Sequence, residues 1–287
     1  MQHSLNTPGV SICCLTYNHE PYIAQAIEGF LMQQTSFAFE ILVGDDLSTD
    51  GTTQILRRYA EQHPEKIRLF AREQNLGAVE NHLRLIAEAK GRYIAMCDGD
   101  DFWTDPLKLQ KQVGYLDTHP EAVICCHYTR VIDHHGKLVY VNADPVPFDF
   151  TYQNILMGER EETRMSTLMV RNIPEIRSIA NQPWYHKGWG SDTLFKLYAT
   201  SRTGLKLHVL PEVMATYRWH PGGVWSMIDS RLRKHRMVND FNIMIHNFSY
   251  PARMKYRLLA FYLRRYFLFD IRYFKLKRAL TTLVKLV

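Results

Sequence analysis

Short apolar runs alternate with amphipathic stretches over the first hundred residues. Val10 to Leu15, Phe39 to Gly44, Ile67 to Phe70 and Arg92 to Cys97 read as strands buried on both faces. Between them, Pro21 to Gln33, Asp50 to Ala60 and Leu76 to Ala89 read as helices. Ile23, Ile27, Phe30 and Leu31 share one side of the first, and Val79, Leu83 and Ile86 line the third. Ser48 or Asp50 is expected to cap the second. Alternating strands and helices predict an α/β fold with a mostly parallel central sheet flanked by helices. Ligands bind such sheets beyond the carboxyl ends of the strands. The polar groups there are Thr16-Tyr17-Asn18, Asp45-Asp46 and Asp98-Gly99-Asp100-Asp101.

The pattern continues with a helix over Pro106 to Asp117, a strand over Val123 to His127 and a hairpin around Asp133-His134-His135-Gly136. Residues 145–164 are polar and poorly periodic. Met165 to Val170 predicts a strand and Gly190 to Thr200 a helix; Leu207 to Leu210 and Met214 to Trp219 predict two further strands. From Ser226 the spacing is helical to the end. No repeat, low-complexity tract or clean linker interrupts the chain. One domain is therefore expected over residues 1–226, followed by a helical extension over 227–287.

Composition adds compartment and surface. A chain of 287 residues, 46% of them hydrophobic, can bury a substantial core. Its cysteines, Cys13, Cys14, Cys97, Cys125 and Cys126, all lie in apolar strand-like runs. Adjacent residues of a strand face opposite ways, so these pairs are poor disulfide or zinc frameworks and are expected to be reduced core residues of a cytoplasmic protein. The polar stretch Gln2 to Gly9 does not resemble a secretory signal, and no run of eighteen apolar residues predicts a spanning helix.

The net charge of +6 is uneven: residues 251–287 hold ten Lys or Arg against one Asp, and the rest of the chain is mildly acidic. That asymmetry argues against nucleic acid as a partner of the main domain. In the tail, Arg253, Lys255, Tyr256, Arg257, Phe261, Tyr262, Arg264, Arg265, Tyr266, Phe267 and Phe269 interleave basic and aromatic groups. Such a segment suits the inner, anionic face of the cytoplasmic membrane, peripherally. It suits equally well packing on its own domain or on a second subunit, as in a homodimer.

The acidic run after Tyr93 to Cys97 carries the chemistry. Three carboxylates in four positions repel one another, and desolvating them costs more still. A divalent cation offsets that cost, and Mn2+ or Mg2+ accepts a few carboxylates plus phosphate oxygens. In an extended segment Asp98 and Asp100 point to one side, and Gly99 lets backbone approach a ligand closely. The bland alternative is a solvated acidic turn. Asp45 or Asp46 can accept hydrogen bonds from a base or ribose, while Ser48 to Thr52 fit a helix cap. Asp192 is either a helix cap or a general base. His220, in an abrupt Pro-Gly-Gly turn, can ligate metal or donate to phosphate, and Arg218 can neutralise diphosphate charge.

These pieces, in this order, closely resemble the family 2 inverting glycosyltransferases of the GT-A fold, a Rossmann-like architecture. The resemblance covers about residues 9 to 226 and rests on Thr16-Tyr17-Asn18, Asp45-Asp46 with Ser48-Thr49-Asp50-Gly51-Thr52, Asn75-Leu76-Gly77 and Asp98-Gly99-Asp100-Asp101. It implies a nucleotide-sugar half over about 9–101 and an acceptor half over about 102–226. Thr16, Tyr17, Asn18, Asp45, Asp46, Asp98 and Gly99 should line the nucleotide-sugar pocket. Asp100 should be the main metal ligand, helped by Asp98 and His220. Asp101, Trp189, Arg218 and Ser226 should contact diphosphate or acceptor, and Asp192 should be the catalytic base. The family's Glu-Asp pair is Ser191-Asp192 here, so its first carboxylate is missing. The implied donor is a nucleotide-diphosphate sugar, a UDP-sugar first, and the acceptor a saccharide or lipid-linked saccharide. A sugar nucleotidyltransferase is the alternative enzyme, although Cys14 to His19 lacks the Gly-rich basic loop such enzymes carry. A non-catalytic binding protein of the same fold is the alternative without chemistry.

Overall fold

A computed structural model describes residues 8–157, 163–223, 226, 228–272 and 276–284. Trp225 and the side chains of Arg265, Tyr266 and Phe269 lie outside the described set. The first half is the expected alternation: β1 (Val10–Thr16), α1 (Ile23–Leu31), β2 (Phe39–Asp45), α2 (Thr52–Gln62), β3 (Ile67–Ala71), α3 (Ala78–Glu88) and β4 (Tyr93–Asp98). β1 pairs in parallel with β2 and β4, and β2 with β3, without a register break. The second half runs β5 (Phe102–Trp103), α4 (Lys108–Thr118), β6 (Ala122–Asp133), β7 (Leu138–Val141), β8 (Phe148–Phe150), α5 (Tyr152–Leu156), β9 (Met169–Arg171), α6 (Pro174–Arg177), α7 (Ser191–Thr203) and β10 (Lys206–Trp219). The sheet order is β3-β2-β1-β4-β9-β6-β10-β5. β9 runs antiparallel between β4 and β6, joining the halves.

Three elements differ from the periodicity. The segment read as a strand over Met165 to Val170 opens as a 3-10 turn, Met165–Thr167, before β9. The two strands expected around 207–219 are one strand, β10, with register breaks between Leu210 and Val213 and between Val213 and Ala215. Pro211 lacks the N–H a continuous ladder needs, so the strand bends there and resumes. At α2, the N-cap is Gly51; Asp50 accepts the Thr52 N–H at 3.0 Å, and Ser48 turns instead to Asp45.

Two apolar clusters cover the two faces of the sheet. Cys13 and Cys126 belong to one, and their neighbours Cys14 and Cys125 to the other. All five cysteines are buried, and none is in a disulfide. The hairpin at Asp133 to Gly136 forms as β6 pairs with β7.

The extension consists of α8 (Ser230–Asn247), α9 (Ala252–Tyr262), a π-helical turn (Leu263–Phe267), α10 (Leu268–Arg272) and α11 (Leu276–Val284). Val238, Phe241, Ile243 and Ile245 of α8, and Leu258 and Tyr262 of α9, enter the same core as Leu194, Phe195 and Leu197 of α7. Leu276, Leu280 and Val284 of α11 stay exposed at successive helical turns. Among the described residues no helix is long and apolar enough to cross a membrane.

Candidate active site

The polar ends of β1 and β2 are laced together. Asn18 adopts a left-handed backbone (φ 55°), which its short polar side chain tolerates. Its Oδ1 accepts the Thr49 N–H at 2.8 Å, and its own N–H donates to Ser48 Oγ at 2.9 Å. Asp45 accepts hydrogen bonds from the hydroxyls of Ser48 and Thr53. It borders a cavity of about 470 Å³ with Ser48, Gln54, Arg57 and Arg72. The doubled aspartate splits here: Asp46 turns away and accepts the N–H groups of Leu76 (2.7 Å) and Gly77 (2.8 Å). Gly77 needs its left-handed φ of 79° for that turn. Thr16 is buried with an Oγ1 that meets no hydrogen-bond partner among the described residues, while Tyr17 is exposed.

At the end of β4 the acidic run divides in the same way. A Cβ on Gly99 would come within 2.9 Å of Thr16 and 2.8 Å of Ile23, so the glycine lets protein pack against protein. Asp101 is buried, and its Oδ1 accepts the Arg218 N–H at 3.0 Å. Burial, then the charges of Asp100 and Asp98, push its carboxyl well above the usual range. Asp98 is pushed up to about 8 by burial, then by Asp100 and Asp192. The charge of Asp192, in the first turn of α7, thus reaches the end of β4. Asp100 behaves oppositely. Burial alone would raise it, but the hydrogen bond from His220 and the nearby His19 outweigh that and hold it low. His220 Nε2 lies 2.9 Å and His19 Nε2 3.7 Å from Asp100 Oδ2. Burial lowers the His19 pKa, against the pull of Asp100.

These contacts follow from β5. Phe102 and Trp103 pair antiparallel with Thr216 and Ala215 of β10, which sets Asp100 and Asp101 beside Arg218 and His220. The Arg218 guanidinium donates to the Asp100 carbonyl (3.1 Å) and to Gln25 Oε1 (2.8 Å), and stacks on Tyr22 at 4.6 Å. Arg218 therefore braces the acidic turn from behind. Ser226 Oγ donates to the His220 carbonyl at 2.8 Å, closing the Pro-Gly-Gly turn that presents the imidazole.

Asp192 occupies the first turn of α7, and its Oδ1 accepts the Thr193 N–H at 2.7 Å. The buried Lys196 lies 4.0 Å from its other oxygen. Trp189 is 43% exposed just before it. His19, Lys196 and Asp240, which accepts the N–H groups of Trp189 and Gly190, were absent from the sequence-based set. His19 was legible as the next polar residue after Thr16-Tyr17-Asn18. Asp240 had no local signal, because its partners lie fifty positions away in the chain.

Among the described residues no three His, Cys, Asp or Glu side chains converge closely enough to hold a metal ion by themselves. The donors at Asp100 and His220 fit a hard cation that takes its remaining ligands from bound phosphate oxygens.

Residues 11–171 match the model of the glycosyl transferase family 2 proteins. The chain belongs to that family. Relatives include an uncharacterized protein of Mycobacterium tuberculosis, 36% identical over 229 residues, covering 78% of this chain and 63% of that one. Another is the putative teichuronic acid biosynthesis glycosyltransferase TuaG of Bacillus subtilis, 37% identical over 164 residues, 54% of this chain and 64% of TuaG. This family 2 chain thus matches just under two thirds of the length of either relative. Among solved structures it resembles S. aureus TarS 1-349 in complex with UDP-GlcNAc (TM-score 0.67, 21% identity, 96% of this chain and 78% of that one). It also resembles the mannosyltransferase PcManGT of Pyrobaculum calidifontis in complex with GDP-Man and Mn2+ (TM-score 0.63, 19% identity, 97% and 74%). These likenesses, with the sheet order above, assign the GT-A fold.

Proposed function

We propose that this chain is a metal-dependent, inverting, hexosyltransferase-like enzyme. It moves a sugar from a nucleotide-diphosphate sugar to a hydroxyl of a saccharide or lipid-linked saccharide, in the synthesis of a cell-surface polysaccharide. The observation that carries this reading is the cluster at the end of β4, where His220 lies 2.9 Å from Asp100 and the charges of Asp100 and Asp192 both reach Asp98, together with a pocket at the end of β2 that Asp45 borders. The names of TuaG, TarS and PcManGT support a sugar nucleotide as donor, UDP- or GDP-linked.

In this reading Asp45, Thr16 and Tyr17 bind the nucleoside, and the unpartnered Thr16 Oγ1 receives a ligand hydrogen bond. Asp100, with Asp98 and His220, would hold Mn2+ or Mg2+. When bound, that cation offsets the negative charge that grows on the departing diphosphate. Asp192 takes the proton of the acceptor hydroxyl as its oxygen attacks the anomeric carbon. Attack opposite the leaving group inverts the configuration in one displacement. Asp192→Asn is expected to bind the donor as the parent does and to lose about a thousandfold in transfer, the scale of general-base catalysis. Undiminished transfer by that variant removes the base from this account.

The exposed Leu276, Leu280 and Val284, beside Lys277, support a peripheral contact with anionic lipid. Flotation with phosphatidylglycerol vesicles should be lost in the triple Ser variant at those three positions. Equal flotation of the two proteins, or none, rejects the contact.

A further inference from the structure

Helix α7 begins without a capping side chain of its own. Its N-cap is Gly190, which offers no side-chain acceptor to the N–H groups of Trp189 and Gly190. Asp240, from the middle of α8, supplies both. Its Oδ1 lies 2.7 Å from the Trp189 nitrogen and its Oδ2 2.7 Å from that of Gly190. On the same helix, Asn239 Nδ2 donates to the Lys187 carbonyl at 2.6 Å, and the Arg236 guanidinium lies 4.2 Å over the Trp189 ring. Three residues within little more than one turn of α8 thus grip 187–190. Val238 and Phe241 anchor that turn of α8 in the core, so the grip is rigid.

Capping explains only part of this. One acceptor oxygen is enough to cap a helix, and capping does not call for a guanidinium on the indole. A nearly buried carboxylate is also a costly device. Burial and the neighbouring Asp192 push Asp240 up to about 6, against the two backbone hydrogen bonds that favour its ionised form. What the clamp holds is the turn that leads into Asp192. Trp189 stands three residues before it, its ring held by Arg236 yet 43% exposed. An exposed aromatic face in the turn that leads into a proton acceptor suits the C–H face of a sugar ring whose hydroxyl is to be deprotonated.

We propose that Asp240 is a positioning residue for the acceptor saccharide: by holding the Trp189–Gly190 turn, it sets the Trp189 indole as the platform for the acceptor ring at a fixed offset from Asp192. This rests on Asp192 acting as the base. The helical extension then forms part of the acceptor site, and the donor side does not depend on it.

The test uses the full chain. In Asp240→Asn, the amides of Trp189 and Gly190 should exchange about tenfold faster, the effect of weakening a hydrogen bond to a charged group. The amides of Ile94 to Met96 should keep their protection. Unchanged exchange at 189 and 190 overturns the clamp. Kinetics then use Mn2+, UDP-GlcNAc or GDP-mannose as donor, and p-nitrophenyl glycosides as acceptor probes. Asp240→Asn and the surface variant Trp189→Ala should each raise the acceptor KM about tenfold and leave the donor KM unchanged. Unchanged acceptor KM in both variants, or parallel loss of donor and acceptor binding, overturns the positioning role. Failure of the base assignment reads differently: Asp192→Asn would then transfer normally, while the exchange change at 189 and 190 would persist.

Discussion

The two halves of the sheet solve the same problem differently. From β1 to β4 the strands are parallel and in unbroken register, and each candidate residue follows directly from its own strand. From β5 to β10 the sheet mixes directions. Its contributions to the site come through contacts between distant segments: β5 on β10, Ser226 on His220, α8 on the start of α7. Under the proposed function, the donor side is therefore local and the acceptor side is an assembly. A change on the donor side should act through the chemistry of the altered side chain. One on the acceptor side should act through geometry carried over distance.

The largest effect is expected where the halves meet. Asp100 takes its backbone position from the β1–β4 half and its hydrogen bond from His220 of the other. Asp100→Asn should lower turnover about a thousandfold or more if it removes the principal oxygen ligand of the proposed cation. Steady-state assays across a manganese titration measure it, and near-parental turnover would break the comparison at its centre.

Arg218 gives the next effect. Lysine can replace its charge but not its fork to the Asp100 carbonyl and Gln25, nor its stacking on Tyr22. Arg218→Lys should cost about 2 kcal/mol of stability, read by urea unfolding, and should loosen the acidic turn. Full stability in that variant would show that β5 and β10 hold the turn without it.

A pH effect sharpens the comparison at the other junction, where His82 of α3 packs against Phe195 of α7 with ring centroids 6.0 Å apart. Both ring nitrogens of His82 are buried without a hydrogen-bond partner among the described residues. Burial lowers its pKa from 6.5 to about 4. Above pH 6.5 the ring is neutral folded and unfolded, so the full stability is present. As pH falls, the unfolded chain takes the proton first, and stability is lost down to about pH 4. The loss attributable to this ring amounts to about 3 kcal/mol over that window. His82→Leu should remove that part of the acid sensitivity, measured by urea unfolding between pH 7 and pH 4. Identical pH profiles would contradict it.

The smallest effect belongs to the surface of the extension. Tyr256 is 73% exposed, and Tyr256→Ser should change stability by less than about 0.5 kcal/mol. A larger loss would mean that this face is covered by another subunit.

The same contrast explains what could be read in the chain. β1 to β4 were legible because an apolar run bounded by helices needs no information from elsewhere. The open question left by Asp45-Asp46 was one of orientation. It is resolved by the turn at Leu76-Gly77, which captures Asp46 and leaves Asp45 on the cavity. β5 was invisible, because a two-residue strand exists only through its pairing with Ala215 and Thr216. Arg218 was expected to face diphosphate because its charge was legible, whereas Gln25 and Tyr22, which engage it, are distant in sequence. Gly99 was expected to admit a ligand, yet the atoms it admits are those of Thr16 and Ile23.

The most direct test of the central claim is calorimetric titration of the full chain with UDP, dTDP and GDP, with and without manganese, in the parent and in Asp100→Asn. If a cation gathered at Asp100 links nucleotide diphosphate to this rim, one of the three binds the parent at least about tenfold more tightly with manganese, and the variant loses that gain. Tight binding that ignores both the metal and the substitution would contradict the account.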